Sequence, residues 1–164
     1  MIRYDIAKSG QSIILTDTIL EQLKRQKQKW WQSERGGQLF ASLSIAVVKI
    51  QLATGPRPTD RRTRCSYLPD RLSEQQEIDA CFSKGLHFVG DWHTHSSKQP
   101  VPSQADLRVT KSIFQSSTHQ LNAFVLLIVG QASFPEGLFV GLFDSLGMHR
   151  LTGVVVDSAE QDSS

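Results

Sequence analysis

Phe88-Val89-Gly90-Asp91-Trp92-His93-Thr94-His95 is the stretch on which the fold turns. Aromatic and β-branched residues favour a strand here. Side chains at i and i+2 of a strand share one face, so both imidazoles project to the same side, about 7 Å apart at the backbone. That separation lets two nitrogens converge on one zinc ion at about 2.0–2.1 Å, whereas on a helix the same pair would diverge. After a loop at 96–102 holding Pro100 and Pro102, Ser103 and Asp106 begin a helix expected to run to about Ser116. Residues three apart on a helix face the same way, so Asp106 can serve as a third ligand while Ser103 hydrogen-bonds a reacting oxygen.

Working outward, the apolar runs at 122–129, 137–144 and 148–156 are short, rich in Val, Leu and Phe, and separated by turn residues, which predicts three more strands. Upstream, 13–15 predicts a strand and Thr16 or Asp17 a helix cap, with Leu20, Leu23 and Trp30 or Trp31 at helical spacing to about Trp31. Gly36-Gly37 breaks that pattern, and 38–41 and 46–53 read as extended. Residues 54–60, with Gly55, Pro56 and Pro58, form a loop. A further strand is expected at 62–67 and a helix from Ser73 to Lys84, ended by Gly85. The sum is an α/β single domain over 1–156: one curved mixed sheet of six or seven strands with packed helices, followed by a polar, disordered tail at 157–164.

Composition narrows the function classes. A formal charge of +2 on 164 residues is too small to argue for nucleic acid or an anionic membrane. The basic cluster Arg57, Arg61, Arg62 and Arg64 is interrupted by Asp60 and reads as a solvated loop or the lining of a substrate groove. Cys65 and Cys81 form no CxxC pair and no disulfide framework. The first residues carry no apolar signal region, and no apolar run approaches the roughly 18 residues of a membrane span, so a cytoplasmic protein is expected.

A catalytic zinc takes three protein ligands and a water, whose pKa the ion lowers towards 7. A second carboxylate, not a ligand, is needed to carry the proton. Glu34 suits this role because Gly36-Gly37 permits close backbone approach around it. Each residue alone has a plainer reading. His93 and His95 fit a hydrogen-bonded core pair, Ser103 and Asp106 a capping box, and Glu34 a surface carboxylate at a helix end. Trp30 and Trp31 read as core and rim. His87, His119 and His149 have no partners at useful spacing.

Taken together, Glu34, His93-x-His95, seven intervening residues, Ser103, two more, and Asp106 resemble the JAMM signature of the JAB/MPN metalloprotease family. Glu34-x-Gly36-Gly37-x-Leu39 is similar to that family's glutamate-bearing strand entry, and 90–95 to its metal strand. The resemblance covers about Thr16 to Val156. Ser96 departs from it, since many members have proline after the second histidine. The resemblance implies a sheet like that of cytidine deaminase, one zinc per chain with a bound water on His93, His95 and Asp106, proton transfer by Glu34, and an oxyanion contact from Ser103. Residues 53–56, the arginine-rich stretch to Asp70, and 85–92 are similar to a bacterial branch that includes the deconjugating proteases of CBASS anti-phage and related ubiquitin-like operons. This implies cleavage after the C-terminus of a ubiquitin-like modifier or E1/E2-conjugated protein, whose extended tail is guided by Thr54–Tyr67. Processing of a linear precursor, such as a sulfur carrier, and a non-catalytic scaffold remain open. A zinc deaminase does not fit, because H-x-E and CxxC are both missing.

Overall fold

The computed structural model describes residues 1–7, 9–116 and 121–157. The chain runs β1 (Ile2–Ile6), β2 (Gln11–Leu15), α1 (Asp17–Arg25), β3 (Gly36–Leu43), β4 (Val47–Ala53), β5 (Arg61–Arg62), β6 (Tyr67–Leu68) and α2 (Arg71–Phe82). It continues through β7 (His87–Thr94), α3 (Gln104–Ser116), β8 (Phe124–Val129), β9 (Leu138–Asp144), β10 (Gly147–Arg150) and β11 (Gly153–Val155). Nine strands form one mixed, curled sheet in the order β10-β9-β8-β7-β3-β4-β2-β1-β11, and β5 and β6 make a separate ribbon. Strands β7 and β8 are parallel, so the chain crosses over between them through α3.

Strand β8 lies inside the sheet because both its faces are apolar. Every residue of β8 is buried. Val125, Leu127 and Val129 point into the main core, where they meet Ile19, Leu20 and Leu23 of α1. On the other face, Phe124 stacks edge-on against Phe88 and Phe114, tying α3 to the sheet. Gly90 of β7 adopts φ 150°, and a β-carbon there would collide with the Val125 carbonyl. Glycine lets these two strands close up immediately before the histidines.

Several expectations need correction. The sheet has nine strands, not six or seven. Strand β1, with alternate residues exposed, lies beside the edge, and the expected strand at 148–156 divides into β10 and β11 at opposite edges. Helix α1 stops at Arg25 instead of reaching Trp31, because the Gln26 N–H turns back to the Leu23 and Lys24 carbonyls and the chain leaves the helix. Trp30 and Trp31 are therefore exposed, neither core nor rim. Gly36-Gly37 opens β3, two residues ahead of the extended stretch expected from Gln38. The expected strand at 62–67 is the turn and flanks of the β5–β6 ribbon. His119 and most of the 157–164 tail lie outside the described residues.

Candidate metal centre

Strand β7 sits between β3 and β8, with His93 opposite Gly36 on one side and Ile128 on the other. His95 follows the strand end, where its N–H donates to the Val129 carbonyl and so continues the ladder. Thr94 points away from the histidines and is fully buried. Its hydroxyl donates to Gln28 Oε1 and accepts from the Arg35 N–H. The two imidazoles thus leave a strand clamped on both sides, and their Nε2 atoms lie 3.1 Å apart.

Asp106 arrives from the first turn of α3. Its Oδ1 lies 3.3 Å from His93 Nε2 and its Oδ2 3.4 Å from His95 Nε2. The Ser103 N–H donates to Asp106 Oδ2 at 2.6 Å, and the Asp106 N–H donates to Ser103 Oγ at 3.2 Å. This is a reciprocal cap, so the plainer reading of the pair holds as well. The Ser103 hydroxyl accepts there, which leaves its own proton free to donate. Burial works against ionisation of Asp106, but hydrogen bonds from His93 and His95 outweigh it and hold the carboxyl far below its usual range.

Glu34 is buried just ahead of β3, with its N–H donating to the Thr63 carbonyl. Burial pushes its carboxyl up to about 7, the His95 charge opposing and the Asp106 charge adding to the shift. With His93 and Asp106 it lines a cavity of about 350 Å³ walled by Tyr67 of the ribbon and by Val109 and Thr110 of α3. Ser103 is exposed and outside that lining. Gly36 makes room for this wall, since a β-carbon there would stand 2.7 Å from the Tyr67 ring.

Among the described residues, His93, His95 and Asp106 are the group able to hold an ion, their ligand atoms all lying within 4.8 Å of one another. The observed separations of 3.1–3.4 Å match the edge of a tetrahedron around an ion about 2 Å from each ligand. Two neutral imidazoles and a carboxylate are also a donor set that zinc accepts, so the residues fit the metal.

Sequence reasoning found the cavity wall only in part, since Cys65, Ser66 and Tyr67 fall within the expected guide Thr54–Tyr67 while Arg57, Arg61, Arg62 and Arg64 do not line it. Arg61, Arg62 and Arg64 are exposed, whereas Arg57 is turned inwards and Cys65–Pro69 lines the cavity instead. Asp91, Glu74 and Arg71 also line it. For Asp91, the strand period that places it on one face with His93 was the signal available.

Residues 16–138 match the family described as prokaryotic homologues of the JAB domain. A probable metalloprotease of Sinorhizobium fredii is 31% identical over 111 residues, which is 63% of this chain and 66% of that protein. A CD-NTase/cGAS isopeptidase of Enterobacter hormaechei is 30% identical over 122 residues, 73% of this chain and 67% of that one. The chain thus spans about two thirds of the length of these relatives. A solution structure from Salinibacter ruber shares the fold, with a TM-score of 0.53 at 22% identity over 88% of this chain and 92% of the other. Another, from Desulfitobacterium hafniense, gives 0.54 at 15% identity over 84% and 88%.

Proposed function

Because the chain belongs to the family of prokaryotic homologues of the JAB domain, we propose that it is a zinc-dependent isopeptidase that releases the C-terminus of a conjugated protein. The observation that carries this reading is the triangle of His93, His95 and Asp106, two of whose corners, His93 and Asp106, line one cavity with buried Glu34. His93, His95 and Asp106 would hold the ion. Bound zinc supplies a Lewis acid that polarises a carbonyl and acidifies water.

The chain's own residues perform the rest. Glu34, with its carboxyl raised to about 7, takes a proton from the attacking water and returns it to the departing amine. A base poised near the working pH is suited to both transfers. The Ser103 hydroxyl donates to the oxygen on which negative charge develops. The hollow between the β5–β6 ribbon and α3 receives the extended tail, with Tyr67 and Val109 on opposite walls. The relatives named CD-NTase/cGAS isopeptidases suggest the substrate: a CD-NTase-type protein whose C-terminal carboxylate has been joined to a lysine by E1- and E2-like enzymes.

The test is incubation of zinc-loaded protein with such a conjugate, with and without a chelator. Free CD-NTase should appear only without chelator and return when zinc is restored. Intact conjugate in both arms, from protein shown to be folded and zinc-loaded, would replace this reading with that of a non-catalytic scaffold.

A further inference from the structure

The loop from Gln26 to Arg35 buries a polar side chain and exposes two large aromatic ones. Gln28 is fully buried, its Nε2 donating to the Gln32 and Arg64 carbonyls and its Oε1 accepting from Thr94. The Gln28 carbonyl accepts from the Gln131 side chain. Lys27 Nζ donates to the Gln131 and Ala132 carbonyls, and Arg35 donates to the Gln26 carbonyl. The loop is therefore pinned on both sides of Trp30 and Trp31, which nevertheless remain 70% and 56% exposed. Their rings stand edge to face with centroids 5.5 Å apart, and Lys29 Nζ lies over the Trp31 ring.

Pinning and exposure together are informative. Exposed tryptophans on a pre-ordered loop lose little conformational freedom when they bind, which is the profile of an interface anchor. Their position and surroundings specify the occupant. Trp31 precedes Glu34 by three residues, a reach of at most about 11 Å along the chain. The Gln28–Arg64 bond and the Glu34–Thr63 bond lay the ribbon turn beside the same loop. The ribbon carries exposed Arg61, Arg62 and Arg64, and neither they nor Lys29 forms an ion pair among the described residues. The result is an exposed aromatic pair, close along the chain to Glu34 and tied by its loop to a ribbon that carries basic side chains.

We propose that Trp30 and Trp31, bordered by Lys29, Arg61, Arg62 and Arg64, dock an apolar, acid-bordered face on the folded body of the conjugated protein while its tail reaches the metal centre. This rests on the isopeptidase reading above. Recognition is then divided, the groove taking the tail and the tryptophan loop the globular part.

The experiment compares two substrates that share one C-terminal tail: the whole conjugate, and a fluorogenic peptide of the tail alone. For W30A/W31A, the ratio of conjugate kcat/KM to peptide kcat/KM should fall about tenfold or more, as truncation of hot-spot tryptophans predicts. The loss should appear in KM, and W30F/W31F should recover most of it. Conjugate and peptide losing equally, or neither losing, overturns the docking surface while leaving the isopeptidase reading intact. Wild-type protein that cleaves neither substrate overturns that reading and the docking surface with it. Sedimentation that shows a wild-type dimer dispersed by W30A/W31A assigns the tryptophans to a second copy of the chain and overturns the proposal. So does tryptophan fluorescence quenched by single-stranded RNA and not by the conjugate.

Discussion

Asp106 joins two tasks that the sequence presents as alternatives. The oxygen that accepts the Ser103 N–H at 2.6 Å is also the one 3.4 Å from His95, so the cap that starts α3 fixes the carboxylate where the imidazoles converge. Glu34 lies in the same cavity but is set apart by its electrostatics. Burial raises its carboxyl to about 7 while Asp106 is held ionised. Two carboxyls driven in opposite directions are the pattern expected of a proton carrier beside a ligand. Glu34→Gln should therefore keep the metal and lose at least about 10²-fold in turnover, the low end for a positioned acid/base. His95→Ala should lose the metal. Metal analysis and turnover on the same preparations separate the two roles: release of metal by Glu34→Gln would make Glu34 a ligand, and full retention by His95→Ala would remove His95 from the set.

The β5–β6 ribbon walls the cavity, and Arg57 is what holds it there. Both Nε and Nη2 of Arg57 donate to the Glu77 carboxylate, and Nη2 also reaches Gln38 Oε1 and Thr54 Oγ1 at 3.4 Å. Its N–H donates to Asp60 Oδ2 at 2.6 Å, and the same oxygen accepts from the Tyr67 hydroxyl at 3.0 Å. Burial opposes the guanidinium charge, but the Glu77 bond and charge more than offset it and raise the pKa further. Arg57→Ala would leave buried acids without their counter-charge, so unfolding in urea should show a loss of about 3–5 kcal/mol. A loss below about 1 kcal/mol would return Arg57 to the solvated loop that its neighbours suggest. This element was illegible in the sequence for a physical reason. Arg61, Arg62 and Arg64 do face solvent, but Arg57, in the loop after β4, takes its main partner from twenty residues away, on α2. No local period encodes that contact. The tryptophan pair misled for a related reason: a helical stripe continues on paper past Arg25, while Gln28, drawn inwards by Thr94 and Arg64, turns the chain away.

At the scale of the whole molecule, what could be read was what is local. The i, i+2 histidines on a strand and the i, i+3 Ser103–Asp106 pair on a helix are short-range patterns, and the structure brings them together as their periods imply. The placing of β7 between β3 and β8, and of β1 and β11 at the far edge, depends on pairing between segments more than 100 residues apart in the case of β1 and β11. This same division governs stability. A metal held by His93, His95 and Asp106 would bridge the centre of the sheet to the start of α3, and the unfolded chain offers no preformed site. Binding only to the folded state stabilises by RT ln(1 + [L]/Kd), about 2.7 kcal/mol at a free ion concentration of a hundred times Kd. For a chain of this size each kcal/mol moves the midpoint by about 2–4 °C, so chelation should lower Tm by about 5–10 °C relative to protein with that excess of zinc. Scanning calorimetry on zinc-loaded, chelated and re-loaded samples measures this directly. His95→Ala, lacking one corner of the triangle, should melt alike in all three. An unchanged wild-type midpoint after the metal has been shown to leave would mean that the ion does not tie β7 to α3, and the ligand assignment would have to be abandoned.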